Sequence, residues 1–222
     1  MGNAEILAEL HMHTRASDGA MTPEEAVRAA VRKGLCCIAV TDHDTFRGSS
    51  LAERISRVVE GPMIIHGAEI RTDHGDVLVY CEESHEETPR ILTELRDWAD
   101  DNNCIVAAAH PFHPGRSSIG FKIREMLDLF DAIEVWNSRG IPFLNLPAMI
   151  VAGKNNKPGI SGSDAHVLPE IGSSPTILPE MPKTVSEVLE WISKGLVKPS
   201  YGLLPPKAVP YILAWSIVRR LG

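Results

Sequence analysis

His11 and His13 are separated by one residue at the end of the apolar run over residues 5–10, and Asp18-Gly19 follows closely. On an extended strand alternate side chains share a face, so the two imidazoles point the same way. Two imidazoles on one side of a strand end suit a shared metal ion. The theme recurs down the chain. Asp42-His43-Asp44 closes the run over 35–41, Glu69 closes 63–68, His110 closes 104–109, and Asp164-Ala165-His166 follows 157–162. The set is therefore His11, His13, Asp18, His43, Glu69, His110, Asp164 and His166. Imidazole and carboxylate are donors for zinc, manganese and iron, and no thiolate joins them. Eight donors are too many for one tetrahedral ion. They suffice for two or three if a carboxylate bridges, and Glu69 is a natural bridge. Clustered divalent ions lower the pKa of a bound water and neutralise phosphoryl oxygens, which is what phosphoester cleavage needs. The chain has no Gly-x-Ser-x-Gly to suggest a serine nucleophile.

These donors must be positioned by regular elements. Seven strand-like runs, near 5–14, 35–41, 63–69, 76–80, 104–109, 132–136 and 157–162, are mostly separated by helix-like segments. Thr22-Pro23-Glu24-Glu25 carries an N-cap, a proline at the first helical position and a capping-box glutamate. Further helices are expected over 50–59, 88–98, 121–130, 141–151, 184–194 and 207–221. Most strand runs are continuously apolar, as in parallel strands buried on both faces. Alternating strands and helices point to an α/β barrel or a doubly wound sheet. Polar residues gather at the C-terminal ends of the runs, where a barrel collects its chemistry at one mouth, so a barrel is favoured. Residues 173–179 read as an extended piece, and the final helix as one that packs outside the barrel.

The composition sets limits. At 222 residues and 44% hydrophobic content, one domain over 1–222 with a full core is expected. No apolar stretch reaches membrane-spanning length, and the N-terminus lacks a basic stretch leading into a long apolar one. Cys36, Cys37, Cys81 and Cys104 form no Cys-x-x-Cys and read as reduced thiols of a cytoplasmic protein. The net charge of −7, with no basic run, argues against a duplex-DNA binder and leaves room for a small phosphorylated substrate.

Six ordered segments resemble the PHP (polymerase and histidinol phosphatase) family. They are Glu9-Leu10-His11-Met12-His13-Thr14 with Ser17-Asp18-Gly19, Ala39-Val40-Thr41-Asp42-His43-Asp44-Thr45, Gly67-Ala68-Glu69-Ile70, Ala109-His110-Pro111, Ile133-Glu134-Val135-Trp136-Asn137 and Gly162-Ser163-Asp164-Ala165-His166. The resemblance covers residues 5 to about 180. It implies a distorted seven-stranded (β/α) barrel with a metal cluster at the strand C-terminal ends. It also implies one ion at His11, His13, Glu69 and Asp164, and a second at Glu69, His110 and a residue of the fourth strand. A third would lie at Asp18, His43 and His166. Where many members carry His on the fourth strand, this chain has Asp76, so the number of ions, two or three, stays open. His74, in the adjacent turn, is the weaker substitute.

Other polar residues carry weaker signals. Arg116 and Arg139 are candidates for a phosphate clamp, because guanidinium matches phosphate oxygens in pairs. Asn137 and His113 are candidates to contact substrate. Glu134 reads as a residue inside its strand that supports a ligand, His66 as a packed histidine, and His85 with its acidic neighbours as a solvated face. The expected activity is a metal-dependent phosphoesterase acting on a phosphomonoester or on the end of a short oligonucleotide. The alternatives are a metal-stabilised scaffold without turnover, and amide hydrolysis on a similar barrel. The sequence leaves open the native metal among Zn, Mn and Fe, and the oligomeric state.

Overall fold

The computed structural model describes residues 5–221. Helix α1 (Pro23–Arg32) starts at its capping box. The Thr22 hydroxyl accepts the Glu25 N–H at 3.2 Å, and the Glu25 carboxylate accepts the Thr22 N–H at 2.8 Å. Two of the helix's otherwise unpaired donors are thereby satisfied. Helices α2 (Arg47–Val59), α3 (Leu92–Asp101), α4 (Leu146–Lys154), α5 (Val185–Ser193) and α6 (Val209–Leu221) follow. The expected helix over 121–130 is instead two 3₁₀ turns, Gly120–Glu125 and Leu127–Leu129.

Nine strands form one mixed sheet rather than the seven expected. They are β1 (Ile6–Glu9), β2 (Cys37–Val40), β3 (Met63–Arg71), β4 (Asp76–Cys81), β5 (Ile105–Ala108), β6 (Ala132–Asn137), β7 (Gly159–Gly162), β8 (Thr176–Leu178) and β9 (Lys198–Pro199). Their order is β7-β6-β5-β4-β3-β2-β1-β8-β9. The sheet curls until its edges nearly meet. Ser161 N–H donates to Thr176 Oγ1 at 2.9 Å, Ser200 N–H donates to Ser161 Oγ at 3.0 Å, and Met12 pairs with Ala165 beyond the ends of β1 and β7.

The pairings β1–β2, β2–β3, β5–β6 and β6–β7 are parallel, as expected. Strand β4 runs antiparallel to both of its neighbours, which corrects the reading of a parallel strand there. Residues 72–75 between β3 and β4 are too few for a crossover, so the chain must reverse. Reversal puts the first residue of β4, Asp76, beside the C-terminal ends of the parallel strands. Its last residue, Cys81, lies at the opposite end.

Alternation divides the apolar side chains between two layers. Ala8, Leu10, Cys37, Ala39, Leu78, Tyr80 and Ala107 fill the barrel interior, joined by Val188, Leu189 and Ile192 of α5. Val77, Val79, Val106, Ile133 and Val135 face outward under α3 and α4, while Ile38, Val40 and Ile64 face α1 and α2. Both faces are covered, which is why the runs read as continuously apolar. Helix α6 lies across the outside and donates Trp215 Nε1–H to the Asp18 carbonyl at 2.8 Å. Among the described residues, no helix is long and apolar enough to cross a membrane.

Cys81 and Cys104 form a disulfide, which corrects the expectation of four reduced thiols; Cys36 and Cys37 are free. The pairing follows from the antiparallel register. Tyr80 faces Ile105, so the next residues outward, Cys81 and Cys104, stand opposite each other. His85 is not on a solvated face either: its ring packs edge-on against Trp98, with centroids 4.8 Å apart. The disulfide joins residues 23 apart in sequence. Cys104→Ser is expected to cost about 2–4 kcal/mol in urea unfolding under non-reducing conditions. An unchanged midpoint would contradict a formed bridge.

Candidate metal centre

The loop carrying Asp18 is tied down by one buried carboxylate. Asp42 Oδ1 accepts from Thr14 N–H at 2.7 Å and from the Ser17 hydroxyl at 2.6 Å, while Oδ2 accepts from the Thr14 hydroxyl at 2.7 Å. This carboxylate has room because residue 48 is glycine: a Cβ there would sit 1.8 Å from Asp42 Oδ2. Residues just past β1, β2, β5 and β7, with Glu69 near the C-terminal end of β3, then converge on one mouth. The geometry brings together all eight donors of the strand-end set.

At this mouth three groups of ligand atoms form, each with its atoms within 4.8 Å of one another: His13, Asp18, His43 and His166; His11, Glu69 and His110; and His11, His13 and Asp164. Glu69 sits at the junction. Its Oε2 lies 3.2 Å from His13 Nε2, 3.3 Å from His43 Nδ1 and 3.5 Å from His11 Nε2, and its Oε1 is 2.9 Å from His110 Nε2. His11 Nε2 and His13 Nε2 face each other at 3.2 Å. Lone-pair atoms this close need a cation or a proton between them.

Glu134 holds two of these histidines, one by its ring and the other by its backbone. Its Oε1 is 2.9 Å from His11 Nδ1, and Oε2 accepts the His110 N–H at 2.7 Å. With Nδ1–H donated to Glu134, His11 presents Nε2 to the centre. Asn137 Nδ2–H donates to Glu134 Oε2 and to Asp164 Oδ2 at 3.2 and 3.3 Å, so it orients carboxylates rather than facing the mouth. The His166 Nδ1–H meets the Asp164 carbonyl at 2.9 Å, leaving Nε2 3.2 Å from Asp18 Oδ1.

Burial and charge oppose each other throughout the centre. Burial pushes the His13 pKa down, but the Asp164 and Glu69 carboxylates overcome it and raise it to about 9. His11 is likewise raised well above its ordinary value, against burial, by Glu134, Asp164 and Glu69. Burial would raise Asp164 and Glu69. Arg116 and His11 hold Asp164 well down instead, and His11 with His110 and His13 does the same for Glu69.

The remaining predicted residues fall in different places. A cavity of about 510 Å³ opens over the groups and is lined in part by Arg71, Asp76, Arg116, Arg139 and Arg219. Asp76 belongs to none of the three groups; its Oδ1 pairs with Arg71 Nε at 3.2 Å. Arg116 pairs with Asp164, and Arg139 Nη1 holds both oxygens of Glu170 at 2.7 Å. His113 does not line the cavity. Its ring fills the space left by Gly140, where a Cβ would lie 1.7 Å from Cε1, and its Nε2 bonds Asn145 at 3.0 Å. His74 stays in the turn beside Asp73, and His66 is buried as expected. Arg71 and Arg219 were not anticipated. Arg71 ends an apolar strand and Arg219 lies on the last helix, and neither position carries a motif.

The residues present fit divalent cations. Among the described residues, five buried side-chain nitrogens or oxygens have no hydrogen-bond partner, and four of them are His13 Nδ1, Asp18 Oδ1, His43 Nδ1 and His110 Nδ1. Unpaired buried polar atoms are rare and costly, so their concentration at one spot marks a place for a bound cation.

Comparison with known proteins agrees with this geometry. The family model described as PHP domain matches residues 9–114, and the one described as PHP-associated matches 142–197. The chain belongs to the PHP family. An error-prone DNA polymerase of Mycobacterium tuberculosis is 43% identical over 83 residues, covering 34% of this chain and 8% of the polymerase. The 5'-3' exoribonuclease Rnm of Escherichia coli is 44% identical over 71 residues, 32% of this chain and 24% of the nuclease. The chain thus spans a small part of the length of these relatives. A two-domain protein of Bacteroides vulgatus, containing a predicted PHP-like metal-dependent phosphoesterase, superposes with a TM-score of 0.73 at 18% identity, over 90% of this chain and 65% of that one. This structural likeness extends the PHP fold across nearly the whole chain.

The raised imidazole pKa values set a pH dependence for the chelated protein. A folded-state pKa above the unfolded one stabilises the protonated form. For His13 the contribution is complete below about 6.5 and is lost as pH rises through about 9. The melting temperature of protein treated with a chelator is expected to fall over that window. A flat profile from pH 6.5 to 9 would contradict the close packing of imidazole against carboxylate.

Proposed function

We propose that this PHP protein is a metal-dependent phosphoesterase acting on a phosphomonoester, such as a nucleotide or an amino-alcohol phosphate, or on the phosphorylated end of a short oligonucleotide. The observation that carries the reading is the convergence of eight imidazole and carboxylate donors, four with orphaned buried atoms, beneath an arginine-lined cavity. In this reading His11, His13, Glu69 and Asp164 hold one ion, and Asp18, His43 and His166 hold another. Glu69 and His110 form a further position, with Asp76 as its third donor in competition with Arg71. Bound there, divalent ions supply water activation at neutral pH and draw off the negative charge that builds on phosphoryl oxygens.

The chain's own residues supply the rest. Glu134 and Asn137 keep His11, His110 and Asp164 aimed at the centre, so little reorganisation is needed when substrate arrives. Arg116 and Arg139 are already anchored by Asp164 and Glu170 at the cavity wall. In this reading their guanidinium groups take phosphate oxygens in pairs. The cavity volume is in the range that small-molecule sites occupy. The relatives' names, a polymerase and an exoribonuclease, support phosphate esters as the substrate class.

The test is phosphate release by protein loaded with manganese or zinc, against phosphomonoesters, nucleoside bisphosphates and a 5′-phosphorylated oligonucleotide. Release is expected to require the metal. It is expected to drop by more than about 100-fold in His43→Ala and in Asp164→Asn, beyond what loss of an outer partner costs. Unchanged release in these variants would refute the reading, and no release from protein shown to hold its ions would refute it in favour of a scaffold or an amide hydrolase.

A further inference from the structure

Helix α6 lies beyond the two segments matched by the family models, yet it touches the metal centre at one residue in two places. Trp215 Nε1–H donates to the Asp18 backbone carbonyl at 2.8 Å. Arg219 Nη1 lies 2.8 Å from Asp18 Oδ2. The two residues are four apart, so they share one face of the helix. The two oxygens of Asp18 are thereby divided. Oδ2 faces Arg219. Oδ1 is buried without a hydrogen-bond partner and points into the histidine group, 3.2 Å from His166 Nε2, 3.6 Å from His13 Nδ1 and 3.7 Å from His43 Nε2.

We infer that α6 is a positioning element of the metal centre, with Arg219 and Trp215 holding Asp18 so that its Oδ1 is presented to the ion held with His43 and His166. The inference rests on the metal-centre reading above and adds to it a role for the C-terminal helix. A carboxylate rotates freely about its last bond, and an ion that binds it must order it first. Fixing one oxygen from outside removes that cost and chooses which oxygen faces inward. The loop's own ties, from Thr14 and Ser17 to Asp42, from the Gly19 N–H to the Thr14 carbonyl and from the Ala20 N–H to the His166 carbonyl, do not reach the Asp18 carboxylate. Arg219 also lies at the cavity wall, where its charge offsets that of Asp18 while leaving Oδ1 available.

A helix that merely covers the barrel would change stability when altered, but not ion affinity. The experiment is therefore a titration of chelator-treated full-length protein with Mn²⁺, reading free Mn²⁺ by electron paramagnetic resonance, with no substrate present. Arg219→Ala is expected to weaken one ion by about 10–100-fold and leave the binding of the others unchanged. Trp215→Phe should shift the same ion in the same direction. Asp18→Asn should lose that ion, and adding Arg219→Ala to it should weaken nothing further, because the two act through one carboxylate. If circular dichroism shows Arg219→Ala unfolded, Trp215→Phe carries the test with the same two outcomes. A titration identical to that of the unaltered chain, or a further loss on the Asp18→Asn background, would overturn the positioning role while leaving the metal centre standing. Failure of the unaltered chain to bind Mn²⁺ would overturn the metal centre and this role together.

Discussion

Glu69 is 1% exposed and lies within 3.5 Å of a nitrogen from each of four histidines. A carboxylate that deep in a barrel is strongly disfavoured unless positive charge surrounds it. Protons on the imidazoles can supply that charge, and divalent ions can supply it better, because an ion satisfies several lone pairs at once. The rest of the site follows from this constraint. Glu134 and Asn137 hold the donors in place from behind, Asp42 ties down the loop that carries Asp18, and Arg116 balances Asp164 at the rim.

The fold meets the constraint by rigidity. Apart from Asp18, which sits on the loop tied to Asp42, each donor lies in or within a few residues of a strand whose two faces are packed, so its backbone has little freedom to relax away from its neighbours. The sheet nearly closes on itself, which brings β7 and its Asp164-Ala165-His166 extension against the His11-Met12-His13 extension of β1. An open sheet would leave these two extensions six strands apart. Closure by β8, β9 and the Met12–Ala165 pairing is thus what turns scattered strand ends into one centre.

Much of the centre was legible in the sequence because nearly every donor closely follows an apolar run, and parallel strands carry their C-terminal ends to one side. The direction of β4 was harder to read, since an apolar run looks the same either way along the chain. The signal was the four-residue span before Asp76, too short for any crossover. Without that reversal, the facing of Cys81 and Cys104 could not be deduced, and neither could the pairing of Asp76 with Arg71. His113 shows the limit of residue type alone: it has the chemistry of a ligand, but the loop turns its ring toward Asn145. Arg219 left no trace in the sequence, because a basic residue on a surface helix acquires its role only when the helix is docked.

The central claim is that the strand ends form a multi-ion centre organised on Glu69. The most direct measurement is anomalous diffraction at the manganese or zinc edge from crystals of metal-loaded protein. At least two peaks are expected within the groups formed by His11, His13, Asp18, His43, His110, Asp164 and His166, with Glu69 contacting more than one. A single peak away from Glu69, or none at the strand ends, would contradict that arrangement.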